Sequence, residues 1–72
     1  MRTRQEIGEA IKCARIEKGM TQRELAVALG YPDKKDIETN VRTVELGKKY
    51  PPFERIRTLH EVLEISYDEL LP

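Results

Sequence analysis

A chain of 72 residues with 39% apolar and 6% aromatic content has room for one small domain, whose core must be assembled economically from Leu, Ile, Val and Ala on helix faces. Thirteen basic and thirteen acidic residues cancel, which argues against an indiscriminate nucleic-acid binder, and the lone Cys13 excludes an internal disulfide and the common structural zinc sites. No apolar run approaches the roughly 18 to 20 residues of a membrane span, and Met1 to Glu6 lack the apolar stretch of a signal peptide, so a soluble, cytoplasmic chain without membrane contact is expected.

Thr3-Arg4-Gln5-Glu6 places a hydroxyl at a helix start and a carboxylate three residues on, the reciprocal pattern that satisfies two backbone amides. Ile7, Ala10, Ile11 and Ala14 then share one helical face, and Gly19 ends a first helix over about Arg4 to Lys18. Thr21-Gln22-Arg23-Glu24 repeats the capping pattern and opens a short second helix that carries Leu25, Ala26 and Leu29 and stops at Gly30. After the polar turn Tyr31-Pro32-Asp33-Lys34-Lys35, the spacing of Ile37, Val41 and Val44 predicts a third helix up to Gly47. Pro51-Pro52 breaks the chain and can start a fourth helix, with Phe53, Ile56, Leu59, Val62 and Leu63 as its buried stripe. Ser66-Tyr67-Asp68-Glu69 gives a third capping pattern before a fifth helix, Tyr67 to Leu71; its apolar residues either close the core or face a partner. No segment alternates with period two, so an all-α fold is expected. Charge is uneven along it: residues 1–49 hold 11 Lys/Arg against 8 Asp/Glu, and residues 50–72 hold 2 against 5. Any anion-seeking surface therefore belongs to the first two thirds.

Arg15 followed by Gly19-Met20-Thr21-Gln22, then Leu25-Ala26 and Gly30, then Val41, Val44, Glu45, Gly47, Lys49 and Pro51, then Leu59, Leu63, Ile65, Ser66, Asp68, Glu69 and Leu70, stand in an order and spacing that resemble the phage-repressor and Cro-type (XRE) helix-turn-helix family over nearly the whole chain. The resemblance implies a five-helix lambda-repressor-like domain whose third helix lies in the major groove of double-stranded DNA while the second crosses the phosphate backbone. It also implies a partly buried ion pair between Arg15 and Glu45. Two departures stand out. Ten residues, 31 to 40, separate Gly30 from Val41 where the family has five, so the turn is lengthened either as a loop or as an extra turn of the third helix capped by Asp33 or Asp36, the second being favoured. Glu64 stands where the family has a left-handed glycine, and His60 where it has a small buried residue.

On this reading Gln22 and Arg23 meet the backbone at the start of the second helix, where free amides and the helix dipole also attract phosphate. With Ile37, Val41 and Val44 turned inward, Thr39, Asn40, Arg42 and Thr43 are the candidates for base contact, Arg42 above all, because a guanidinium can bond guanine O6 and N7 together. Lys48 and Lys49 would anchor the following loop to phosphate, with Lys34 and Lys35 doing the same from the inserted turn. Asp36 and Glu38 oppose phosphate, although a glutamate can accept from cytosine N4. No acid/base pair, metal set or phosphate loop can be assembled, so neither an enzyme nor a cofactor is expected. The expected function is that of a DNA-binding regulator, a repressor that pairs as a homodimer to read two half-sites. A protein-interaction module of antitoxin or anti-repressor type, with a regulatory protein as its partner, is the competing expectation, favoured by the zero net charge.

Overall fold

In the computed structural model, which describes residues 1–72, Thr3 Oγ1 accepts from the Glu6 amide at 3.1 Å and Glu6 Oε1 from the Thr3 amide at 2.8 Å. This reciprocal cap starts α1 (Arg4–Glu17), and the same pairing between Thr21 and Glu24 starts α2 (Gln22–Ala28). The chain continues through α3 (Thr39–Glu45), a 3-10 turn (Phe53–Arg55), α4 (Ile56–Leu63) and α5 (Tyr67–Leu70), with no strand. No helix is long and apolar enough to cross a membrane. Ile7 and Ile11 of α1, Leu25 of α2, Val41 and Val44 of α3, Leu59 and Leu63 of α4 and Leu70 of α5 meet in one continuous core, so each helix contributes its apolar stripe to the same interior.

At Gly8 the backbones of α1 and α3 approach closely. A Cβ there would lie 2.4 Å from the Val44 carbonyl oxygen and 2.7 Å from that of Glu45, so only glycine lets α1 rest on the last turn of α3. Gly47 follows α3 with φ of +76°, and the chain folds back beside Gln5 before leading into the Lys48-Lys49 segment. Arg55 is pinned in its turn: its Nη1 donates to the Leu29 carbonyl at 2.6 Å and its guanidinium covers the Tyr31 ring at 4.1 Å. That contact holds the start of the inserted segment against the base of α4.

The inserted segment takes neither expected form in full. Residues 31–34 run as a loop, and residues 35–38 then turn tightly, with the Thr39, Asn40 and Val41 amides bonded to the Asp36, Ile37 and Glu38 carbonyls. Asp36 does not cap α3 because its backbone is left-handed, φ +64°, whereas a capping residue is extended; Asp33 does not because its carboxylate is taken by Arg23. Glu38 occupies the cap position without a side-chain bond to the helix. The third helix is consequently shorter at its start than the apolar spacing predicts, although Ile37 is buried as that spacing requires.

Further differences concern the C-terminal third. Phe53 is 88% exposed rather than part of the α4 stripe, because the 3-10 turn after Pro52 rotates it outward before the helix begins. Ser66 is extended at the start of α5 but makes no side-chain cap bond. Leu70 closes the core, while Tyr67 and Leu71 keep 41% of their surfaces exposed. Glu64 retains the left-handed conformation that glycine would favour, φ +55°, and its carboxylate pairs with Lys18. His60 is half-buried: its ring stacks on Tyr67 at 4.1 Å, and its Nδ1 lies 2.7 Å from the Ile65 carbonyl oxygen.

Adding one methyl group at the α1–α3 crossing should be costly. Gly8→Ala is expected to destabilise the domain by about 1 to 3 kcal/mol in chemical denaturation, as overpacking does in close-packed interiors; an unchanged midpoint would show that the helices do not touch there. The hydrogen bonds of Glu6 with the Thr3 backbone and hydroxyl hold its carboxyl below the ordinary value of 4.5. Stability from this group is therefore present above pH 4.5 and lost as pH falls through the lowered value. Melts of Glu6→Gln should accordingly converge on wild type in acid and lie below it at neutral pH.

Candidate nucleic-acid interface

The face built by α2, the inserted segment, α3 and the Lys48-Lys49 loop depends on one buried charge pair. Arg15 reaches from α1 to Glu45 on α3 in a two-pronged contact, Nε to Oε2 at 2.6 Å and Nη2 to Oε1 at 3.1 Å, with their side chains only 11% and 3% exposed. Arg15 Nη1 donates in addition to the Met20 carbonyl at 2.8 Å, just before α2. Gln22 completes the cluster by donating from Nε2 to Glu45 Oε1 at 3.0 Å. Every oxygen of the buried carboxylate is thereby bonded, and α1, α2 and α3 are held at one junction. The ion pair implied by the resemblance is present.

From that junction α3 turns Val41 and Val44 into the core and leaves Thr39, Arg42 and Leu46 exposed, with Thr43 half-buried. Arg42 Nη2 donates to Thr39 Oγ1 at 3.2 Å, and Arg42 enters none of the ion pairs, so its charge is uncompensated by any carboxylate. Thr43 Oγ1 donates to the Thr39 carbonyl at 2.6 Å, which leaves the oxygen lone pairs as acceptors. Lys48 and Lys49 are exposed and equally unpaired. Arg4, from the start of α1, joins them: its Nη1 donates to the Lys48 carbonyl at 3.4 Å. Nothing in the local pattern around Arg4 marks this, since its neighbour is 44 residues away.

Three of the sequence candidates are placed differently. Asn40 is half-buried, and its Nδ2 donates to the Ile37 carbonyl at 2.9 Å, so the amide is spent on closing the turn into α3 instead of standing free on its outer side. Gln22 is engaged with Glu45 and half-buried. Arg23 is half exposed but bound on both sides, by Asp33 and by Glu38 at 3.6 Å. Lys34 and Lys35 project from the inserted loop without a carboxylate partner. Arg42, Lys34, Lys35, Lys48 and Lys49 are thus exposed cations free of carboxylates, whereas Arg23 on α2 is neutralised. No group of three or more His, Cys, Asp or Glu side chains converges anywhere in the chain in a way that could hold a metal ion.

Removing either charge of the buried pair leaves the other without compensation. Arg15→Ala should therefore cost roughly 3 to 5 kcal/mol, a large share of the stability of so small a domain, and leave it unfolded or with a strongly lowered melting temperature. A melt like that of wild type would mean that the pair contributes little. Comparison of the chain with family models, with curated proteins and with solved structures gave no match.

Proposed function

We propose that the protein is a sequence-specific DNA-binding regulator, a repressor of the phage-repressor and Cro-type helix-turn-helix architecture, which sets α3 into the major groove of double-stranded DNA. The observation that carries this reading is the division of α3: Val41 and Val44 lock one side into the core while Arg42, the one cation of the helix, stands exposed and free of any carboxylate on the other. An exposed guanidinium on a helix held rigidly from behind is suited to bonding a guanine edge in two places. Thr39 and Thr43 flank it with hydroxyl groups. Lys48, Lys49 and Arg4 lie at the end of the same helix, where contacts to phosphate would orient the domain without reading sequence. A helix of seven residues spans only about 10 Å, so one copy reads few base pairs, and a homodimer on paired half-sites in the cytoplasm is the arrangement we favour. Tyr67 and Leu71 offer exposed apolar surface on the acidic third for that pairing.

A second reading, a protein-interaction module on the same architecture with weak DNA binding and a regulatory protein as its partner, is supported by the neutral net charge and by the capture of Arg23 by two carboxylates. The two readings differ in their response to salt. Selection from randomised duplexes, followed by titration at two ionic strengths, should yield a preferred site and a steep loss of affinity with salt. Arg42→Ala should cost about 1 to 3 kcal/mol on that site and relax the preference at one position, whereas Lys48→Ala should weaken all duplexes alike and lower the salt slope by about one. Binding that is absent, or flat in salt and sequence, would favour the interaction module.

A further inference from the structure

We propose that the residues inserted between α2 and α3 form a charge latch on Arg23, and that duplex phosphate competes with Asp33 and Glu38 for its guanidinium. The proposal rests on the DNA-binding reading above. Arg23 is the only cation of α2 and stands in its first turn, 51% exposed. Its Nη2 donates to Asp33 Oδ1, and its Nη1 lies 3.6 Å from Glu38 Oε2, so both partners come from the inserted segment. The Glu38 oxygen is shielded from solvent and receives no hydrogen bond, which leaves Arg23 as the only charge that compensates it. Asp36, two residues before Glu38, makes no such contact.

The arrangement has two consequences for an approaching polyanion. A half-exposed ion pair is weak and screened by salt, so closely spaced phosphate oxygens can replace the carboxylates on Arg23. Once replaced, Asp33 and Glu38 are repelled by the same phosphates, and the loop they tether is free to carry Lys34 and Lys35 to the backbone. Free protein thus hides one cation on α2 behind the lengthened turn, and binding exposes it. Affinity is lowered for every duplex until the latch opens.

The experiment compares duplex titrations of wild type, Asp33→Asn/Glu38→Gln and Asp36→Asn, each with and without Arg23→Ala. Removal of the two latch carboxylates should raise affinity about tenfold at low salt, with the gain shrinking as salt screens the ion pairs that wild type has to break, because Arg23 meets phosphate in both complexes. Asp36→Asn removes a charge from the same loop at a left-handed position that asparagine tolerates, and should give no more than about a third of that gain. Arg23→Ala should cost several-fold more in the double variant than in wild type, which is the coupling the latch requires. Equal gains from Asp36→Asn and the double variant, or no coupling to Arg23, would reduce the effect to general repulsion and overturn the latch while leaving DNA binding in place. Failure of every variant to bind any duplex overturns both the latch and the reading beneath it. Hydrogen exchange in the free protein supplies an independent readout: the Ile37 and Thr39 amides should exchange faster to a similar degree in Arg23→Ala and in the double variant, and unchanged protection in both would show that no tether exists.

Discussion

Everything on the α3 side of the molecule depends on a guanidinium and a carboxylate that share almost no water. Arg15 and Glu45 are attached to different helices, and their two-pronged contact leaves little freedom in how α1 and α3 can be placed. The close backbone approach at Gly8 belongs to the same contact region, since Val44 and Glu45 supply the carbonyls that a side chain would strike. Charge pairing and steric fit therefore act on the same turn of α3. The burial of such a pair is expensive in desolvation, and the extra bonds from Gln22 and to Met20 are what make it tolerable. A rigid α3 is the return for that expense.

The surface then distributes its charges by use. Of the basic groups on the α3 side, Arg42, Lys48 and Lys49 are left free, while Arg23 is bound by carboxylates. A net charge of zero consequently describes the chain poorly, because compensation is local: some cations are neutralised within the fold and others are not. Long-range attraction to a polyanion depends on the uncompensated set.

What the residues reveal in advance follows the range of the interaction. Thr3 with Glu6 and Thr21 with Glu24 are readable from spacing because a reciprocal cap is complete within one turn, and the burial of Ile37, Val41 and Val44 is readable because helical periodicity is local. The Arg15–Glu45 pair follows from the family resemblance rather than from any local pattern. Gly8 shows the limit, since its need for a bare backbone comes from carbonyls on another helix and nothing in its own neighbourhood announces it. The inserted segment shows another. Asp33, Asp36, Glu38 and Asn40 are all plausible at a helix start, and which of them caps, turns or pairs is decided by the path of the chain past Arg23 and Tyr31. Phe53 fits the apolar spacing of α4 but precedes the helix by one tight turn, which is enough to face it outward.

The small α5 helix is attached partly through His60, and the chemistry of that attachment reaches beyond packing. A backbone carbonyl can only accept, so the Ile65 oxygen requires the hydrogen on Nδ1 and selects one tautomer of the neutral ring. With Nδ1 committed to the Ile65 carbonyl and its face laid against the Tyr67 ring, a single imidazole grips the chain on either side of Ser66, so the C-terminal turn is fastened to α4 at two points by one side chain.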